Sequence, residues 1–166
     1  MTWRTGVAVA LLVGATACAG DPAPQQPPDA AAQQVVALLL LDDAAGACIE
    51  AAFTAEPDLA AIVNTGTDQL PEDRAGAALA AIRTCADGPA LFASLATIAA
   101  VTADADATEQ RCLADAVGAL PADELDLLML WAINPSAIDA TGYLRFAQVS
   151  RSLAASCGLD LEMPTS

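Results

Sequence analysis

Five cysteines and 21 carboxylates are the side chains of this 166-residue chain whose types and spacing bear on chemistry. Histidine and lysine are both absent. Acyl or phosphoryl transfer needs a base that works near neutral pH, usually His, or a nucleophile with an orienting partner. Neither is in evidence, because Cys48, Cys85, Cys112 and Cys157 all fall on apolar helical stripes, where pairing or packing explains them. Two carboxylates can do acid/base work on a glycosidic bond. The adjacent pairs here are Asp42 with Asp43, Glu72 with Asp73, and Asp123 with Glu124. Each stands at a helix start, where the helix dipole favours the charged form and works against a proton donor. Asp115 and Asp139 would support hydrolysis only if folding brought them face to face in a cleft. The expectation is a protein that is not an enzyme.

Metal and phosphate chemistry find little support. The run Asp104-Ala105-Asp106-Ala107-Thr108-Glu109 alternates oxygen ligands, but it lacks the central Gly and the twelfth-position Glu of a calcium loop. Asp106 with Glu109 reads as a capping box in front of the Cys112 helix. No C-x2-C spacing supports a structural zinc site, and no Gly-rich phosphate loop is present. No cofactor is expected.

The fifth cysteine, Cys18, has a different setting. It closes Ala15-Thr16-Ala17-Cys18 after a short basic start at Arg4 and an apolar run from Val7 to Val13. These are the parts of an export signal, and the run is too short to span a bilayer. The four residues resemble the lipobox of bacterial lipoproteins, with Ala15 where Leu is usual. The resemblance implies cleavage before Cys18, lipid such as palmitate on that residue, and anchorage to the outer face of the cell membrane. Ala15-Thr16-Ala17 is also an A-x-A site for ordinary signal peptidase, so a secreted soluble protein is the alternative.

An odd cysteine in an exported protein needs another role. If Cys18 carries lipid, Cys48, Cys85, Cys112 and Cys157 form an even set for two disulfides. The organisation read from the sequence is a signal peptide over 1–17, a Pro-rich tether over 18–31 and an all-α domain over 32–166. The tether holds Pro22, Pro24, Pro27 and Pro28. Such a segment prefers extended conformations of about 3 Å per residue and stands the domain off the surface.

Positioning falls to helices. Alanine and leucine dominate the domain, both good helix formers. Stripes at i, i+3, i+4 run through Ala45, Ile49 and Phe53; through Ala78, Leu79 and Ile82; through Leu91, Leu95 and Ile98; through Leu113, Ala116 and Val117; and through Tyr143, Phe146, Ala147 and Ser150. By these stripes both Cys48 and Cys85 sit on core faces. Val35 to Leu41 and Leu125 to Ile133 are apolar nearly all round and are expected to be buried central helices. Pro57, Pro71, Pro89 and Pro121 mark helix starts.

The domain also looks duplicated. Cys48-Ile49-Glu50-Ala51-Ala52-Phe53 parallels Cys112-Leu113-Ala114-Asp115-Ala116-Val117, and a proline follows nine residues after each cysteine. Units of about 42–87 and 105–160 result, each a helix, a short helix and a helix, the second with a longer loop around Asn134-Pro135-Ser136. One disulfide closing each unit pairs Cys48 with Cys85 and Cys112 with Cys157. The arrangement resembles alanine-rich, cysteine-paired helical repeats of secreted actinobacterial proteins, in which a turn such as Cys157-Gly158-Leu159-Asp160 answers a Cys-bearing helix. That resemblance implies an all-α, disulfide-stapled helical bundle in an exported chain and no particular activity.

After removal of residues 1–17 the chain keeps five Arg against the 21 acids, a net charge of −16. Phosphate contacts need a basic footprint, so nucleic acid is excluded as a partner. Two classes of function fit: an interaction or structural module of the cell envelope, or a carrier of a small apolar ligand in a bundle cavity. The carrier would line its cavity with Leu127, Leu128, Leu130, Trp131, Tyr143 and Phe146.

Overall fold

Alanine-rich stretches interrupted by proline and opened by aspartate fold as short helices with abrupt ends. The structure is a computed structural model that describes residues 26–63, 72–100 and 105–159. Among these the chain is all-α, without a strand. The α-helices are α1 (Pro28–Leu39), α2 (Asp43–Ala55), α3 (Glu72–Cys85), α4 (Gly88–Ala100), α5 (Ala107–Gly118), α6 (Ala122–Ile133) and α7 (Ala140–Ser156), with 3-10 segments at Pro57–Val63 and Pro135–Ala137.

Aspartates set four of the helix starts, α4 among them, where Asp87 accepts from the amide of Ala90. Asp42 accepts from the amide of Ala45, Asp139 from that of Gly142, and Asp106 from those of Thr108 and Glu109. Glu109 returns the bond to the Asp106 amide, which completes the capping box. Each such bond occupies an amide that the helix itself leaves without a partner.

Helices α1 and α2 form an antiparallel hairpin, as do α4 and α5, and α6 lies between them in contact with α1, α3, α4 and α7. The two halves follow one packing scheme. In the first, α1 packs on α2 and on the segment Pro57–Val63, and α2 packs on α3; in the second, α4 packs on α5 and α6, and α5 packs on α7. The sequence units begin at the Cys-bearing helices, and the structure adds a hairpin partner in front of each. Asp42 and Asp106 each stand six residues before the cysteine of the helix they cap. After Pro57 comes a seven-residue 3-10 segment, whereas after Pro121 comes the twelve-residue helix α6. The extra length of the second half is therefore partly helix, and Asn134-Pro135-Ser136 leads into a single 3-10 turn in place of an open loop.

The core joins both halves. Phe53, Leu39, Ile49, Ile62, Ile82, Met129 and Val117 are among its largest fully buried side chains. Leu125, Leu128, Met129 and Ile133 put α6 at its centre. Gly118 is required where α4 and α5 meet, since a Cβ there would lie 2.9 Å from the Phe92 ring.

Three expectations are corrected. The tether ends before residue 31, because α1 starts at Pro28 and Ala31 is completely buried; a helix-start proline followed by Asp29 had the same form as the others but no large apolar residue behind it. Val35–Leu41 is not buried all round. Val35 and Leu39 face the core, whereas Leu38 and Leu40 are exposed and the helix ends at Leu39. Cys48 is exposed, one step round α2 from the buried row Ala45, Ile49 and Phe53.

Candidate functional site

Four of the five cysteines are accounted for by bonds. Cys48 is joined to Cys85 with Cα atoms 5.5 Å apart, tying α2 to α3. Cys112 is joined to Cys157 with Cα atoms 5.7 Å apart, tying α5 to the end of α7. Two disulfides in one small domain mark an extracytoplasmic protein, since cytosolic thiols are kept reduced. Cys18, with the whole signal and most of the tether, lies outside the described residues.

Most of the described carboxylates that flank helix starts or face an arginine are engaged locally. Asp42, Asp106 and Asp139 are caps. Asp126 pairs with Arg83, Asp123 and Glu124 with Arg145, and Asp58 and Glu56 with Arg74. The amides of Glu109 and then Thr108 hold the Asp106 carboxyl below its ordinary value, and the hydrogen bond from Arg145 does the same for Asp123. Both shifts favour the charged form. Asp115 is exposed on α5, and Asp43 is exposed at the start of α2. Among the described residues no three His, Cys, Asp or Glu side chains cluster to hold a metal ion.

The six residues assigned to a ligand cavity separate into three groups. Leu128 belongs to the core. The Trp131 and Phe146 rings stack on one another, centroids 4.5 Å apart and planes 11° from parallel, and Tyr143 leans on Phe146 at 6.5 Å. Each ring thereby supplies the apolar neighbour that a ligand would have supplied. Leu127 and Leu130 line an open cleft of about 350 Å³ between α3, α6 and α7, beside Gly76, Asp126 and Arg145. Further along α7, Tyr143 is 48 % exposed and Leu144 69 % exposed.

A second open groove, of about 310 Å³, runs between α1 and α2. Val36 and Ala37 on α1 face Asp43, Gly46, Ala47 and Glu50 on α2. Gly46 sits where a Cβ would come within 3.0 Å of a Val36 methyl, so the hairpin closes tightly at the base and stays shallow above. Sequence reasoning missed this groove. Its one signal was the small-residue row Asp43, Gly46, Ala47, Glu50 at i, i+3, i+4, i+7 on the side of α2 away from its apolar stripe.

Comparison with protein-family models, with curated proteins and with solved structures finds no match to this chain.

Proposed function

We propose that the chain is an exported protein held at the outer face of the cell membrane by lipid on Cys18, and that its stapled helical domain binds another macromolecule of the cell envelope. The observation that carries the anchoring is the cysteine inventory. With Cys48, Cys85, Cys112 and Cys157 consumed in two disulfides, Cys18 is the one thiol left, and it stands directly behind Ala15-Thr16-Ala17 and an apolar run. The binding role is supported by a domain whose helices are covalently pinned and whose grooves open outward. Asp42, Asp106 and Asp139 serve as caps and Glu56, Asp58, Asp123, Glu124 and Asp126 as ion-pair partners, which supports a binding module over an enzyme.

The test is expression of the full-length chain in a bacterium with an intact lipoprotein pathway. The wild-type protein is expected in the detergent phase with an acylated N-terminal cysteine, and Cys18→Ser is expected in the aqueous phase. An unmodified N-terminus at residue 18, with the protein in the medium, would overturn the anchoring. A small apolar ligand in the cleft at Leu127 and Leu130 is the second reading. Trp131 is the only tryptophan after residue 17 and lies on the same helix as these leucines, so its fluorescence on titration with fatty acid decides that reading.

A further inference from the structure

We infer that the α1–α2 groove is a docking site for a cationic amphipathic helix of another protein. The inference rests on the reading of the domain as an interaction module and names the chemistry of its partner.

An antiparallel helix pair presents a valley between its ridges, and a third helix packs into such a valley when the walls are small enough to let it approach. Here the walls are Val36, Ala37, Gly46 and Ala47, and Ala37 and Ala47 are exposed. Helix α2, which forms one wall, is tied to α3 by the Cys48–Cys85 bond on the side turned away from the groove. A preformed groove spares the ordering cost that a flexible one would impose on binding.

Charge selects the occupant. Asp43 and Glu50 stand seven residues apart on the groove side of α2, about 10 Å along the axis at 1.5 Å per residue. Neither makes an ion pair among the described residues. From residue 26 to 63 the chain carries Asp29, Asp42, Asp43, Glu50, Glu56 and Asp58 and no Arg or Lys. The chain itself cannot neutralise this face: residues 18–25, 64–71, 101–104 and 160–166 hold no Arg or Lys either. A second copy would bring a net charge of −16 of its own. Arg74, Arg83 and Arg145 are already committed to carboxylates elsewhere, and Arg111 and Arg151 donate to main-chain carbonyls of α5 and α7, the carbonyls of Ala107 and Ala147. The complementary surface is therefore a foreign helix with small apolar residues on one side and Lys or Arg two turns apart at its border, where opposite charge fixes register and speeds encounter.

The experiment uses the mature chain with both disulfides formed and a labelled 18-residue synthetic helix of Ala, Leu and Lys with lysines at i and i+7 flanking its apolar face. Its control is a scrambled peptide of the same composition without an apolar face. Anisotropy should show saturable 1:1 binding, at least tenfold tighter for the amphipathic peptide. Ala47→Trp, which fills the groove from an exposed position, and the pair Asp43→Asn with Glu50→Gln should each weaken it at least tenfold at unchanged helicity. Asp115→Lys, on the exposed side of α5, should change it less than twofold. Equal binding of the scrambled peptide, equal weakening by Asp115→Lys, or no saturable binding would overturn the proposal. Binding that persists in a chain whose Cys18 proves unacylated would overturn the membrane anchoring alone.

Discussion

The side-chain amide of Asn134 donates to the main-chain carbonyl of Ile62 across 3.1 Å in a buried setting, joining the C-terminal ends of two elements that lie 72 residues apart in sequence. The hydroxyl of Ser136 donates to the Oδ1 of Asn134 at 2.6 Å, which fixes the orientation of the amide. Ile62 lies in the last turn of the segment Pro57–Val63 and Asn134 caps the end of α6, so this bond is a polar fastening between the halves within an apolar interface.

Replacing Asn134 with Leu keeps the volume and removes the donor, leaving the carbonyl of Ile62 buried without this partner. A buried acceptor stripped of its donor costs about 1–3 kcal/mol. Urea unfolding of Asn134→Leu should show an unfolding free energy lowered by that amount, read as a lower midpoint at unchanged slope. A stability equal to wild type would mean that the bond adds nothing to the joining of the halves.

Each disulfide closes a long loop, with sequence separations of 37 and 45. Loop-closure entropy at these lengths corresponds to about 4 kcal/mol per bond. Non-reducing peptide mapping should recover Cys48 with Cys85 and Cys112 with Cys157. Replacing either pair by Ser should lower unfolding free energy by about 2–4 kcal/mol, and reduction of both should bring the domain close to unfolding. A Cys85–Cys112 peptide would contradict the fold.

Leu40 terminates α1 with φ 50° and ψ 39°, in the left-handed region, while its side chain is 63 % exposed. A residue with a Cβ pays about 1 kcal/mol there and glycine does not. Leu40→Gly is therefore expected to raise stability by up to about 1 kcal/mol in thermal unfolding, in spite of the usual cost of glycine. A loss of stability would show that the exposed leucine makes contacts that outweigh the backbone relief.

The lowered carboxyls of Asp106 and Asp123 fix the direction of the pH dependence. A group whose pKa is lower in the folded than in the unfolded chain contributes stability at all pH above its unfolded value. That contribution is lost as pH falls through the folded value. The ordinary carboxyl value is 3.8, so these two groups should add a constant amount at neutral pH and a declining one below about pH 4. Denaturant midpoints measured from pH 7 to pH 2 should fall in the acid range, and Asp106→Asn with Asp123→Asn should flatten that fall. An acid limb of unchanged steepness in the double variant would assign it to other carboxylates.

Much of this architecture was legible before folding because its signals are local. Helical period, a proline at the first turn and an aspartate three residues ahead of a free amide act within one segment, so α2, α3, α5, α6 and α7 and the cap at Asp106 could be read directly. The disulfide partners were legible through the repeated order of cysteine and proline, which records the structure twice in one chain. Tertiary packing decided the rest. Whether an alanine at 31 or a leucine at 40 is buried depends on which neighbour lies opposite, and alanine has the same appearance in a tether and in a core. A sequence shows Trp131 and Phe146 as two apolar rings without their spacing, which suits pocket lining as well as core; the pairing of α6 with α7 brings them face to face and fills the space between them. The α1–α2 groove depends on how closely two backbones approach at Gly46 and Val36, a distance set by the summed packing of both helices against α3, α6 and the segment Pro57–Val63, and no single segment encodes it.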